Sequence, residues 1–109
     1  MGEHSTVTTT FEVLADPHRR LLLEELRRGP RPVGDLVAVV GLAQPSVSKH
    51  LRVLRTAGLV DVQADAQRRV YRLRPEALRD VDAWLEPFRR AWADRLAALE
   101  HHLDTMEER

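Results

Sequence analysis

The spacing of apolar residues along this chain changes character twice. From residue 10 to residue 57, apolar side chains recur at intervals of three and four, which is the period of an amphipathic helix. Between residues 59 and 73 they alternate with polar ones, and several are β-branched or aromatic, as in a two-stranded hairpin. After that the helical period returns and continues almost to the last residue. The predicted order is therefore several short helices, a hairpin and one long helix.

Capping and breaking residues divide the first part into four predicted helices. Asp16 and Pro17 start one of them, because aspartate is a good N-cap and proline suits the first helical position. Gly41 marks a short turn before the fourth helix, and Gly58 ends that helix. The predicted helices span residues 10–15, 17–28, 33–40 and 44–57, and the predicted strands span residues 59–64 and 68–73.

These elements predict a mainly α fold with a small β-hairpin, namely a winged helix-turn-helix followed by a long C-terminal helix. Residues 1–8 are small and polar, so we expect a disordered tail there. Residues 9–74 form the predicted DNA-binding domain. Residues 75–109 form the predicted dimerisation helix, with a kink or break near Pro87 because proline lacks the backbone N–H.

Composition excludes several classes of protein. The chain has 109 residues, which suits one small domain, and it contains no cysteine, so disulfides and thiolate metal sites are excluded. It shows neither an apolar run of membrane-spanning length nor the pattern of a secretory signal, so we expect a cytoplasmic protein without membrane contact. A glycine-rich phosphate loop and a metal triad are also missing from the sequence, and we do not expect an enzyme.

Charge is unevenly distributed although the formal net charge is zero. Residues 44–74 carry seven basic side chains against two acidic ones, whereas residues 75–109 carry nine acidic side chains against five arginines. Once its apolar face is buried, the fourth helix presents polar and basic side chains, which suit base edges and phosphates in a major groove. The candidate groove-reading residues are Gln44, Pro45, Ser46, Ser48, Lys49 and Arg52.

The hairpin adds a second basic element. Arg68 and Arg69 lie at its predicted tip, and arginine is favoured in narrow minor grooves and on phosphates, so both are candidate DNA contacts of the wing. Arg72 and Arg74 either contact phosphate or are edge-strand charges that discourage aggregation. The alternative function is a winged-helix protein-interaction module without specific DNA binding. Such a module has no need of converging basic residues, which favours double-stranded DNA as the partner.

Three segments carry a family resemblance: residues 14–20 (LADPHRR), 33–36 (VGDL) and 44–60 (QPSVSKHLRVLRTAGLV). Over about residues 10–75 the chain resembles the ArsR family of bacterial transcriptional regulators. The resemblance implies a homodimeric winged-helix repressor that binds an inverted repeat near its own promoter. It places the groove-reading positions on Gln44, Ser46, Ser48 and Lys49. Ala43 departs from the serine N-cap that family members often have at the start of this helix.

Many members of that family sense metals, but their known ligand positions are not matched here. The thiolate pair of the arsenic and cadmium sensors falls near Pro32 and Gly34, which have no ligating side chain. Two histidine positions of the zinc sensors hold Trp84 and Arg95. The histidines at residues 101–102 are interpreted as part of an exposed helix end. The sequence therefore predicts no metal site and no cofactor.

The apolar stripe of the last helix is longer than a small core requires. A stripe of that length needs a partner, and a symmetric operator requires two recognition helices, so we predict a homodimer. The candidate interface residues are Phe11, Leu85, Phe88, Trp92, Leu96, Leu99 and Leu103. The aromatic residues Trp84, Phe88 and Trp92 of the last helix are also candidates for lining a small-molecule cavity at the interface.

Overall fold

The computed structural model describes residues 5–107 and confirms the predicted fold class. The helices are α1 (Ser5–Leu14), α2 (Pro17–Arg27), α3 (Val33–Val40), α4 (Gln44–Thr56) and α5 (Leu78–Glu107). The strands are β1 (Arg31–Pro32), β2 (Val60–Asp65) and β3 (Arg68–Leu73), and a 3-10 turn at Pro75–Ala77 leads into α5.

The strands form one antiparallel sheet in the order β1, β3, β2. Val60 lies opposite Leu73 and Asp65 lies opposite Arg68, so β2 and β3 make the predicted hairpin in full register. Arg31 of β1 lies opposite Tyr71 on the other edge of β3. This third strand was not predicted, because a two-residue segment is too short to show the alternation by which a strand is recognised.

The core lies between α2, α3, α4 and the root of the hairpin. Its fully buried aliphatic side chains are Leu22, Leu36, Val47, Leu51, Leu54 and Leu59. Tyr71 of β3 closes the core on the side of the sheet, with 7% of its surface exposed. The helical periodicity of the sequence assigned all of them except Leu59, which follows α4, to the inner faces of their helices, and burial of such faces is what stabilises short helices of this kind.

The N-terminal tail predicted for residues 1–8 is wrong for residues 5–8, which are helical. The physical reason is tertiary packing, since α1 lies against both α2 and α5. Val7 in the first turn is half-buried, and Thr10 further along α1 is almost fully buried. Local sequence does not reveal this packing. Residues 1–4 lie outside the described part of the chain.

Of the kink or break predicted near Pro87, a break is wrong, because α5 runs through this position as one helix of 30 residues. A proline inside a helix removes one backbone hydrogen bond, and the remaining bonds of a long helix hold the segment together. Only the beginning of α5 packs on the domain, where Val81 is buried. None of the helices in residues 5–107 is long and apolar enough to cross a membrane.

Candidate nucleic-acid interface

The helix-turn-helix is formed by α3, a three-residue turn and α4. Gly41 ends α3 in the left-handed conformation at φ +76°, and its N–H donates to the carbonyl of Val37 at 3.1 Å. This conformation favours glycine, as the sequence predicted for the turn. Ala43 precedes α4 and supplies no side-chain cap, but Pro45 is preorganised for the first helical turn.

Burial of one face of α4 determines which side chains it presents. Val47, Leu51 and Leu54 are completely buried, so the opposite face is turned to solvent. Of the six predicted groove-reading residues, Ser48 is half-buried and the others are exposed. The exposed ones are Gln44, Pro45, Ser46, Lys49 and Arg52. The predicted face is therefore available to a ligand along its whole length.

At the tip of the wing, Ala66 adopts φ +57° in the turn between β2 and β3. Arg68 and Arg69 follow this turn and are both exposed. The Nη2 atom of Arg68 lies 3.2 Å from Oδ2 of Asp65, in a pair that is largely open to solvent. Such exposed pairs are weak, so Arg68 is readily available to another anion.

Arg72 and Arg74 have a different environment, because both bind Asp61 of β2. Nη2 of Arg72 and Nη1 of Arg74 each lie 3.1 Å from Oδ2 of Asp61, and Nε of Arg74 also donates to Glu76 at 3.1 Å. The hydrogen bond from Arg72 holds the pKa of Asp61 below its ordinary value. Most of the charge on these two arginines is thus balanced inside the wing.

A cleft of about 230 Å³ lies between α4 and β3. Residues of both elements line it, so the recognition helix and the wing share one surface. Arg52, Arg55 and Arg69 all line it, and within residues 5–107 none of the three forms an ion pair. Its other lining residues are Val33, Gln44, Ser48, Leu51 and Tyr71. Unpaired guanidinium groups around a concave surface favour an anion.

Arg55 was missed as a candidate by the sequence analysis. Its position, three residues after Arg52, places both side chains on neighbouring turns of the same face, and this spacing was the available signal. A second cleft of about 540 Å³ continues from Gln44 to Arg68 at the wing tip. Pro32 and Gly34, where the family's thiolate ligands are expected, line this second cleft and face the basic wing.

The N-terminus of α2 contacts α4 through polar side chains. Oδ1 of Asp16 accepts the N–H of His18 at 2.8 Å and so caps α2 as predicted. Desolvation raises the pKa of Asp16, but this hydrogen bond and the nearby positive charges outweigh it, so the pKa lies below its ordinary value. Nε of Arg19 donates to Nδ1 of His50 at 3.3 Å, which links α2 to the middle of α4.

The predicted interface residues lie on α1 and α5. Phe11 and Trp84 form an edge-to-face pair with ring centroids 5.6 Å apart, and Trp84 lies 4.8 Å from Phe88. Beyond these rings the apolar stripe is open to solvent, with Trp92 at 68% the most exposed member. The other predicted members are Leu96, Leu99 and Leu103, each about half-exposed, and Leu85, which is partly buried.

Comparison with known proteins fits this arrangement. The sequence-family model described as "Bacterial regulatory protein, arsR family" matches residues 16–62, from the cap of α2 into β2. The HTH-type transcriptional regulator Rv2034 of Mycobacterium tuberculosis is 34% identical over 105 residues, which cover 96% of this chain and 95% of that protein. The chain belongs to the ArsR family.

Solved structures of transcriptional regulators share the fold. An ArsR-like transcriptional regulator from Rhodococcus sp. RHA1 aligns with a TM-score of 0.72 at 27% identity, covering 93% of this chain and 95% of that one. The transcriptional repressor BigR from Xylella fastidiosa aligns with a TM-score of 0.63 at 31% identity, covering 80% and 90%. This ArsR-family chain is accordingly a DNA-binding transcriptional regulator with a winged helix-turn-helix fold.

Proposed function

We propose that this regulator is a homodimeric repressor that binds an inverted repeat in double-stranded DNA near its own promoter, in the cytoplasm. The observation that carries the proposal is the convergence of Arg52, Arg55 and Arg69 on one cleft without ion-pair partners in the described chain. These side chains come from two elements that are separate in sequence. Their common orientation has a simple explanation if one polyanion contacts both elements.

In the proposed complex, α4 enters the major groove. Its 13 residues make a helix about 20 Å long, enough to present a few side chains to base edges. Gln44 is suited to a bidentate contact with adenine and Arg52 to one with guanine. Ser46, Ser48 and Lys49 contact base edges or phosphates beside them, and Pro45 packs against the groove wall.

The wing takes the neighbouring part of the duplex. Arg68 and Arg69 reach the minor groove or the phosphates that border it, where arginine is favoured. Arg72 and Arg74 contribute less, because Asp61 and Glu76 already bind their guanidinium groups. Within residues 5–107, Arg69 forms no ion pair and Arg68 forms only the exposed one with Asp65, which supports the proposed order of importance within the wing.

Dimerisation supplies the second recognition helix. Two half-sites of an inverted repeat lie about one helical turn, or roughly 34 Å, apart, so they require two copies of α4. The exposed stripe of α5 supports self-association, because a monomer rarely leaves so many large apolar side chains in water. A repressing role is supported by the relative BigR, which is a transcriptional repressor.

Fluorescence anisotropy with DNA from upstream of the chain's own gene tests the proposal. The titration is made at two salt concentrations and against a scrambled duplex of equal length and composition. We expect selective binding with a log–log salt slope of roughly −5 to −7, because a dimer that contacts six to eight phosphates releases their counterions.

Other outcomes of this titration have distinct meanings. If binding depends on salt but does not distinguish the two duplexes, the protein does not recognise an operator sequence there and has an architectural role instead. The absence of binding at low salt would contradict the proposed DNA-binding surface of α4 and the wing, and it would favour a protein-interaction module. Sedimentation equilibrium on the same sample measures the dimer independently of DNA.

A further inference from the structure

We propose that Asp16, His18 and His50 form a binding site for one divalent transition-metal ion of the zinc, cobalt or nickel class. One donor atom from each side chain can be chosen so that all three lie within 4.8 Å of one another. The site lies at the junction of α2 and α4, away from the positions near Pro32 and Gly34 and from the last helix. It was not predicted from sequence.

The distances are close to those of a metal site. Nδ1 of His18 lies 3.5 Å from Oδ1 of Asp16, and Nδ1 of His50 lies 4.0 Å from Oδ2. Ligands about 2.1 Å from a tetrahedral ion are about 3.4 Å apart, so small side-chain rotations bring the three donors into range. The two imidazole rings have centroids 5.7 Å apart and are tilted by 31° to each other, so the two side chains lie side by side.

The donor set selects the kind of ion. Two imidazole nitrogens and one carboxylate oxygen favour borderline divalent ions over calcium and magnesium, which prefer oxygen ligands alone. Three protein ligands leave a fourth position for water. The side chains of His18, Asp16 and His50 are 42%, 29% and 18% exposed, so an ion can reach donors that neighbouring groups already hold in place.

The groups around the donors support preorganisation. Oδ1 of Asp16 accepts the backbone N–H of His18 at 2.8 Å, which orients the carboxylate and leaves Oδ2 for an ion. Nδ1 of His50 accepts from Nε of Arg19, so it presents a lone pair in the direction that an ion would use. A bound ion displaces Arg19 from His50, and this competition limits the affinity.

An ion at this junction connects two parts of the helix-turn-helix domain. His50 follows Lys49 on α4, whereas Asp16 and His18 belong to the start of α2. Coordination would replace one long hydrogen bond between the helices with three ligand bonds. The site therefore places metal binding next to the proposed DNA-reading face, but the experiment below involves no DNA and tests the site even if the proposed function fails.

Cobalt(II) is the probe, because its visible absorption reports its coordination geometry. The chain has five histidines, so the triple variant His4→Ala, His101→Ala, His102→Ala retains only His18 and His50. We expect this full-length variant to bind one equivalent of cobalt(II) with the absorption of a four- or five-coordinate ion. Zinc(II) is expected to displace it stoichiometrically.

Two further substitutions on that background identify the ligands. His18→Gln and Asp16→Asn are each expected to weaken cobalt(II) binding at least about tenfold. Asparagine caps helices as well as aspartate does, so Asp16→Asn keeps α2 capped and circular dichroism checks the fold. Asp35→Asn removes the same charge from the exposed first turn of α3 and is expected to leave the affinity unchanged.

Two results overturn the proposal. One is the absence of saturable cobalt(II) binding in the triple variant at micromolar protein. The other is saturable binding that His18→Gln leaves unchanged. A chain that binds cobalt(II) but not its promoter retains the metal site and loses only the proposed regulatory function.

Discussion

The two most instructive helices of this protein, α4 and α5, differ in how completely the chain itself covers them. The 13 residues of α4 bury three large side chains completely, whereas the 30 residues of α5 bury only Val81. On α4 the exposed face is polar and basic, as in a helix whose apolar face is fully used. On α5 an apolar stripe is exposed to solvent together with the charged side of the helix. The comparison teaches that the chain covers the apolar face of α4 by itself, and that it leaves the apolar stripe of α5 open to the proposed partner.

Charge pairing makes the same distinction. On α5, Arg89 binds Asp82 at 3.0 Å and Glu86 at 2.9 Å, so its charge is balanced on the helix itself. Within residues 5–107, Arg52 and Arg55 of α4 form no ion pair. A basic surface without ion-pair partners in the described chain suits a polyanion, and an exposed apolar surface suits a second copy of the chain.

The strongest test of this comparison is Trp92→Asp. A carboxylate at the most exposed position of the stripe would be desolvated in a dimer, and we expect the dimer to dissociate about 1000-fold more readily, equivalent to about 4 kcal/mol. Sedimentation equilibrium measures the change. Ala97→Asp adds the same charge on the opposite side of α5 and is the matched control. A Trp92→Asp protein that sediments as the parent does would refute the proposed interface.

The next largest effect is expected for Leu51→Ala on α4. Removing a completely buried leucine costs about 2–5 kcal/mol, through lost burial and the cavity left behind. Leu99→Ala on α5, made in the monomeric Trp92→Asp chain, is expected to change the free energy of unfolding by less than about 1 kcal/mol, because Leu99 is half-exposed. Urea denaturation measures the free energy of unfolding of both variants in the Trp92→Asp background. Equal losses would remove the distinction between the two helices.

Arg52→Ala tests the proposed DNA-reading face directly. We expect operator affinity to fall by about 1–3 kcal/mol, or roughly 5- to 150-fold, if Arg52 contacts a base. Selectivity over the scrambled duplex should fall with it. Arg90→Ala on α5 removes another exposed positive charge and is expected to leave affinity within about twofold. Anisotropy at one fixed salt concentration decides, and an unaltered affinity would exclude Arg52 from the interface.

A smaller effect separates the two kinds of arginine in the wing. Arg69→Ala is expected to weaken DNA binding by about 1 kcal/mol and to reduce the salt slope by about one for each protomer. Arg72→Ala should have less effect, because its guanidinium is already bound to Asp61. Anisotropy over a range of salt concentrations provides both quantities. The opposite ranking would mean that DNA displaces the Asp61 ion pairs.

The smallest expected effect concerns acid stability of the wing. Because the pKa of Asp61 is lowered in the folded chain, its pairing stabilises the fold above the ordinary value of 3.8 and is lost as the pH falls through the lower folded pKa. Asp61→Asn removes this contribution at neutral pH. The variant's Tm should therefore start lower at pH 6 and fall less between pH 6 and pH 3. A parallel fall in both proteins would contradict this role.

Much of the DNA-binding domain was predictable because its signals are local. The cap at Asp16, the turn at Gly41 and the apolar period of α4 lie within short segments, and α3 and β3 have the predicted bounds. The first turn of α1 and strand β1 were not predictable in this way. Their conformations depend on packing against α5 and on pairing with β3, which are distant in sequence.

The same division applies to the candidate sites. The sequence by itself determined which face of α4 is polar, because helical geometry fixes the positions of side chains three and four residues apart. Tertiary structure decided that Arg69 of the wing joins Arg52 at one cleft, that Asp61 pairs with Arg72 and Arg74, and that His50 meets Asp16 and His18. These contacts join residues 11 to 34 positions apart, and only a folded chain brings such residues within hydrogen-bonding or coordination distance.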